Sequence, residues 1–222
     1  CPMERTDLTP ARLRETLMKM KVGISLGSSN WTVGELRALP DGLLQMWCDF
    51  FHVVEDTGHW PEALTLGLIS PITKDATEPL TAANLRPITV MPVPYRLWAS
   101  TRMRELIDWQ EQWLSACISS FRPEKGCEFS WWEEALRVEH ALLSGEALCG
   151  LNIDFAKPFD RLPHEILLRI MDEMGLDASI ASALGGHVSL SASSFLCERP
   201  RGGCFHSVPR MGFFRDAPSR YY

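Results

Sequence analysis

The stretch "LNIDFAKPFDRLPHE", residues 151–165, places a carboxylate where an apolar run ends. Asp154 is the second-last residue of "ALCGLNIDF", a pattern that predicts a buried strand. A carboxylate at a strand end can hold a hard divalent cation, and a metal ion there activates an attacking oxygen in phosphoryl transfer. By itself, however, a strand-end aspartate is more often a solvated or capping carboxylate. The remaining chemistry-bearing residues must decide between these interpretations.

Two cations upstream suggest a site for phosphate. Lys74 follows the extended apolar segment "ALTLGLISPIT", and Arg86 lies in "LRPITV" beyond a polar loop. On the two arms of a strand-loop-strand they would form a clamp for a triphosphate, because Arg offers a bidentate fork and Lys a mobile point charge. Two solvated surface cations explain the same residues, and in isolation that is the simpler interpretation.

Further positive charge follows downstream, at Arg96, Arg102, Arg104, Arg122 and Lys125. Such side chains suit contacts to phosphate backbones. They equally suit the polar face of a helix, with Glu105, Asp108 and Glu111 as ion-pair partners. The sequence leaves both interpretations open.

The elements that position these residues are mostly helical in the first part of the chain. Residues 9–10, Thr-Pro, predict a helix start, and residues 32–35 form a capping-box pattern. The stretch "DGLLQMWCDFFHVVEDTG" predicts a helix that ends near Gly58. Its apolar spacing predicts a core face formed by Leu43, Trp47, Phe50 and Val54.

The second part mixes helices and strands. Three prolines exclude a helix in "LRPITVMPVP", and helical spacing resumes from Tyr95 to about Leu114. Ser130 and Glu133 give another capping-box pattern, and further helices are predicted in "PHEILLRIMDEMG" and "DASIASALGGHV". "SASSFLCE" and "GCFHSV" flank a turn and predict a hairpin. The fold class expected is therefore α+β, helix-rich with a small antiparallel sheet.

Composition sets outer limits on function. The chain has 222 residues, 45% of them hydrophobic, and a formal net charge of −6, so the whole-chain charge argues against a non-specific nucleic-acid binder. Seven cysteines occur without a CxxC pair, which predicts reduced, mostly buried thiols in an intracellular, non-secreted protein. No apolar run approaches the roughly 20 residues of a membrane span. The chain begins with Cys rather than Met and ends with "APSRYY", which suggests a piece of a longer protein.

Six segments are individually unspecific, but their order along the chain is informative: "SSNWTVGELRALP", "TGHWPEAL", "LISPITK", "NLRPITVMPVPYRLWASTRMREL", "SSFRPEKGCE" and "LNIDFAKPFDRLPHEIL". Together they resemble the reverse transcriptase domain of non-LTR retrotransposons, an RNA-directed DNA polymerase. The resemblance covers about residues 8 to 190. It implies a partial right-hand polymerase, with an N-terminal helical extension at 1–62, fingers at 63–146 and an incomplete palm at 147–222.

The resemblance also implies residue roles. Arg86, in the family's "YRPI" element, would contact the triphosphate of the incoming nucleotide, with Lys74 assisting. Asp154 would be the first catalytic aspartate and would bind Mg²⁺. The backbone carbonyl of Phe155 would complete the coordination shell of the ion. Phe159 would lie beneath the sugar and exclude a 2′-hydroxyl. The implied partners are an RNA template, a DNA primer and dNTP.

Departures from the family pattern limit this expectation. Pro158 stands where Ala is common, and the 222 residues contain no Asp-Asp pair, so the second palm motif is missing. A two-metal site would then lack part of its carboxylates. We therefore expect a fragment that does not polymerise alone. The alternative is a non-catalytic RNA-binding or interaction remnant of a retroelement.

Overall fold

The computed structural model describes residues 2–74, 77, 81, 84–155, 161–191 and 195–197. Its backbone forms two compact units. One unit comprises Thr6–Arg102 and Ala178–Tyr222, and the other comprises Cys1–Arg5 and Met103–Asp177. The resemblance divides the chain by expected function, at 1–62, 63–146 and 147–222, whereas these two units are defined by compactness of the backbone. The functional division therefore stays a prediction.

The first unit is mainly helical. It contains α1 (Pro10–Lys19), α2 (Val33–Ala38), α3 (Asp41–Thr57), the short α4 (Glu62–Thr65) and α8 (Ala178–Ser191). The predicted start of α1 is confirmed, since the Thr9 hydroxyl accepts a hydrogen bond from the Arg12 amide. The predicted capping box at Thr32 and Glu35 is also confirmed, as is the left-handed Gly58 after α3.

A small sheet lies in the same unit, in the order β2-β1-β3. Strand β1 (Gly67–Thr73) pairs antiparallel with β2 (Leu85–Val90), and β3 (Phe195–Cys197) runs parallel to β1. The extended segments predicted around "LISPIT" and "LRPITV" are therefore confirmed. The second arm of the hairpin predicted near the C-terminal end, "GCFHSV", lies outside the described residues.

The core of this unit is built on α1, α3 and the first half of α5 (Val93–Glu111). The predicted core face of α3 is confirmed at Val54 but is otherwise displaced by about one position. Leu43 is exposed, and the other buried residues are Leu44, Cys48, Phe51 and Glu55. Trp47 and Phe50 flank this face and are partly buried against it. Edge-on aromatic contacts, such as Trp60 against Trp98 at 5.1 Å between ring centroids, fill much of the interior.

One ion pair crosses this core. The carboxylate of Glu55 accepts two hydrogen bonds from Arg102, from Nε and Nη2, each at 2.7 Å. Trp98 Nε1 donates to the same carboxylate at 2.7 Å, and Arg102 Nη1 donates to the Thr6 carbonyl at 2.6 Å. Both charged side chains are almost fully buried. A buried charge pair is tolerated only when its hydrogen-bonding groups are satisfied in this way.

The second unit contains α6 (Cys127–Ser144) and α7 (His164–Glu173), together with the last part of α5. The helix predicted after Pro163 is confirmed and ends before the left-handed Gly175. The capping box predicted at Ser130 was wrong, because α6 begins three residues earlier, after Gly126. The strand predicted over 147–155 was also wrong, since the segment has no strand partner among the described residues and all of its residues are exposed.

The described elements confirm an α+β, helix-rich fold with a small sheet. The cysteine prediction is only partly right. The thiols of Cys48, Cys117, Cys127 and Cys149 are free, but only Cys48 is buried. Burial, with a contribution from Asp49, raises the pKa of the Cys48 thiol to about 11. In the described part of the chain, no helix is long and apolar enough to cross a membrane.

Candidate functional site

The β1–β2 hairpin brings two of the sequence-predicted site residues together. Arg86 pairs with Ile72 in the antiparallel register, and the Lys74 amide donates to the Asn84 carbonyl at 2.9 Å, which continues that register by one step. Directly paired residues share a face of the sheet, and so do residues two apart on one strand. Lys74 is the first residue after β1, and the register extended by this one hydrogen bond assigns it to the face that carries Arg86, as a diagonal neighbour.

The distance implied by this register suits a shared anion. Diagonal neighbours across an antiparallel pair have backbone positions about 7–8 Å apart, within reach of long side chains. Both residues are exposed, so a solvated polyphosphate can reach them without displacing core residues. Arg supplies several fixed N–H donors, and Lys supplies a rotatable ammonium group. The hairpin can therefore offer two cationic side chains to one ligand.

The face that carries these cations also has an apolar part. Ile72 lies between Ser70 and Lys74, and Ile88 follows Arg86 at the same two-residue period. Both isoleucines are substantially exposed, at 53% and 44%. Neither isoleucine was a predicted site residue, although the alternation along "ISPITK" and "LRPITV" indicates that they share this face. A nucleotide held by its phosphates would have an apolar surface beside it.

The predicted metal ligands do not form a complete site in the described residues. Asp154 and Phe155 are exposed and lie in the segment that has no strand structure. They belong to a different compact unit from Lys74 and Arg86, and Phe159 lies outside the described residues. No group of three or more His, Cys, Asp or Glu side chains within the described ranges is arranged to hold a metal ion. A single exposed carboxylate does not fit a catalytic Mg²⁺ centre.

Arg102 and Arg122, among the downstream cations, form ion pairs inside the protein. Arg102 is buried against Glu55 in the core. Arg122 donates to both carboxylate oxygens of Glu111, at 2.8 and 2.6 Å, and to the carbonyls of Ser115 and Ile118. The hydrogen bond from Arg122 lowers the pKa of Glu111, and the same bond raises the pKa of Arg122. For these two residues the structure supports internal ion pairing rather than phosphate contacts.

Arg96 is a partly buried member of the same set. Its Nη2 donates to the Ser25 carbonyl, and desolvation by burial lowers the pKa of its guanidinium group. Lys125 lies 5.7 Å from the centroid of the Phe129 ring, a cation–π distance. The basic residues discussed between positions 96 and 125 therefore make separate local contacts. The register of the hairpin instead assigns Lys74 and Arg86 to one face.

No protein-family model and no curated protein matches this chain. The resemblance to reverse transcriptases therefore rests on the sequence segments quoted above, and it stays a prediction.

Proposed function

We propose that this chain is a fragment of an RNA-directed DNA polymerase whose β1–β2 hairpin binds the triphosphate of a deoxynucleotide. The observation that carries the proposal is the common face of Lys74 and Arg86. It agrees with the role that the reverse-transcriptase-like segment "LRPITV" implies for Arg86. The same resemblance implies an RNA template and a DNA primer as partners. The cysteine pattern, seven cysteines without a CxxC pair, supports a proposed intracellular location.

The electrostatics of the hairpin favour a phosphate ligand. A fixed guanidinium group and a mobile ammonium group on one face can contact different oxygens of the same polyphosphate. The sequences of β1 and β2 contain no acidic residue, so the paired strands are not themselves negatively charged.

We do not extend the proposal to catalysis by these 222 residues. Phosphoryl transfer by a two-metal site needs several carboxylates around the ions. The chain contains no Asp-Asp pair, and Asp154 is exposed and outside any acidic cluster among the described residues. We propose that the chain binds nucleotide but does not join nucleotides.

Nucleotide binding tests the hairpin directly. We expect Arg86→Ala to weaken binding of dATP by about tenfold, the equivalent of about 1.4 kcal/mol, because one charge-assisted contact is lost. Isothermal titration calorimetry at low salt measures this change, and deoxyadenosine serves as the ligand without phosphates. Lys74→Ala should weaken binding in the same direction.

Lys19→Ala is the matched control, because it removes one exposed cation from a different element. It should leave the affinity for dATP within about twofold, a change of less than 0.5 kcal/mol. Equal binding by Arg86→Ala and the unmodified chain would contradict the proposal. So would equal affinity for dATP and deoxyadenosine.

Primer extension tests the absence of catalysis. With an RNA template, a DNA primer, dNTP and Mg²⁺, we expect no extended product from the chain, because the carboxylates of the second palm motif are missing. Denaturing gel electrophoresis detects products down to single-nucleotide additions. Product that is lost in Asp154→Ala would show that the chain is a competent polymerase and would overturn this part of the proposal.

A further inference from the structure

The helix α6 carries an exposed apolar stripe. Trp131, Ala135, Val138 and Leu142 follow each other at spacings of four, three and four residues, which is the seam pattern of a coiled coil. Trp131 is 65% exposed and Leu142 is 78% exposed. Such side chains normally lie at a helix–helix contact, and a contiguous exposed apolar surface marks an interaction site.

Acidic side chains border this stripe on both sides. Glu134 and Glu139 line one shallow groove together with the four seam residues. With Val138 placed at a d position, Glu134 falls at g and Glu139 at e, the two positions that face a partner helix across the seam. Both flanks of the groove therefore present a carboxylate to whatever occupies it.

We propose that this groove binds a basic amphipathic helix of a partner protein. Such a helix would place Leu or Ile side chains against Trp131, Val138 and Leu142. Lys or Arg side chains on its two edges would meet Glu134 and Glu139. The groove lies within the unit that does not contain the β1–β2 hairpin.

The negative charge of α6 favours a basic helix over a second copy of α6, a nucleic acid or an anionic lipid as the partner. In a pair of two identical α6 helices, glutamates meet glutamates at the e and g positions in either orientation, which is unfavourable. The helix carries four glutamates and one arginine, Arg137, so its field repels nucleic acid and anionic lipid. Arg137 contacts Glu134 at 3.2 Å in an exposed pair, and such pairs are weak enough to be exchanged for another partner.

A pair of synthetic helices tests the proposal. One peptide of about three heptads has Leu at its seam and Lys at its e and g positions, and the second differs only by Glu in place of Lys. Fluorescence anisotropy of the labelled peptides measures binding to the full 222-residue chain. We expect the Lys peptide to bind at least about tenfold more tightly than the Glu peptide.

Charge reversal on the protein provides the decisive comparison. Glu134→Lys/Glu139→Lys should reverse the preference, so that the Glu peptide becomes the tighter ligand. Val138→Asp should weaken both peptides, because it places a charge in the apolar seam. Glu133→Lys is the matched control for the single variant Glu134→Lys: it makes the same charge change on the same helix outside the groove. It should keep the preference for the Lys peptide, which Glu134→Lys alone should weaken. Circular dichroism confirms that each variant keeps its helix content.

Three results would overturn the proposal. The first is equal binding of the two peptides by the unmodified chain. The second is a reversed preference in Glu133→Lys that matches the one in the double variant, since the effect would then be general charge rather than the groove. The third is concentration-dependent self-association that Val138→Asp abolishes, measured by sedimentation velocity, because the occupant would then be a second copy of the chain.

Discussion

Replacement of Arg102 by methionine should lower the free energy of unfolding by about 3–5 kcal/mol, the cost of leaving one partner of a buried ion pair uncompensated. In this variant the Glu55 carboxylate stays in the core and keeps only the Trp98 indole N–H among the contacts described above. Glu55→Leu should have a cost of similar size, because the Arg102 guanidinium is then buried without its carboxylate. Urea denaturation followed by tryptophan fluorescence measures both changes.

The double variant Glu55→Leu/Arg102→Met separates charge from packing. It should be less destabilised than the sum of the two single variants, because no unpaired charge remains in the core. Its remaining cost comes from the Trp98 indole and the Thr6 carbonyl, which each lose a hydrogen-bond partner.

An exposed pair supplies the control for this experiment. Lys19 Nζ lies 2.7 Å from Glu15 Oε1 on the surface of α1. Lys19→Met should change stability by less than about 0.5 kcal/mol, as expected for an exposed pair. If Arg102→Met were equally mild and instead reduced RNA binding, Arg102 would be a phosphate contact after all, and its assignment to the core would be wrong.

Local sequence signals predicted the ends of several helices. Thr9, the Thr32–Glu35 box and Gly58 act within one helical turn, so their effect does not depend on distant parts of the chain. The box at Ser130 failed although its residue types fit, because α6 continues upstream to Cys127. A capping pattern is therefore reliable only where the preceding residues do not themselves extend the helix.

Features that depend on distant partners were not predictable in this way. The alternation of Leu151, Ile153 and Phe155 is typical of a strand, but a strand needs a neighbour for its backbone groups, and these residues are exposed without one in the described structure. Arg102 was grouped with the surface cations because its partner, Glu55, lies 47 residues away.

The candidate site was predicted in part. Lys74 and Arg86 were predicted to lie on two extended arms, since Pro87 disfavours a helix around Arg86. At the end of "LRPITVMPVP" the exclusion of a helix was wrong, because α5 begins at Val93. The sequence does not give the pairing register, which decides whether the two side chains share a face. A shift of one residue would have placed them on opposite faces. The observed pairing of Ile72 with Arg86 supplies that missing fact.

The crossing of α3 and α8 leads to the second large prediction. A Cβ atom added at Gly186 would lie 1.6 Å from the Gly58 carbonyl oxygen and 2.8 Å from its carbon. Because these are backbone atoms, relief requires the two helices to move apart. That movement would stretch the hydrogen bond from Trp60 Nε1 to the Ala183 carbonyl, now 2.8 Å, and expose part of the core around Ala183.

Gly186→Ala should therefore lower the free energy of unfolding by about 1–3 kcal/mol, the range typical of overpacked interiors. In an open helix the same substitution adds up to about 1 kcal/mol of stability. Gly42→Ala in α3 is the matched control, because a Cβ at Gly42 meets no atom within 4 Å, and it should stabilise the protein slightly. Thermal unfolding of both variants measures whether each substitution raises or lowers the stability of the protein. Equal stabilisation by the two substitutions would mean that α8 does not approach Gly58 this closely, and the helix crossing described here would be wrong.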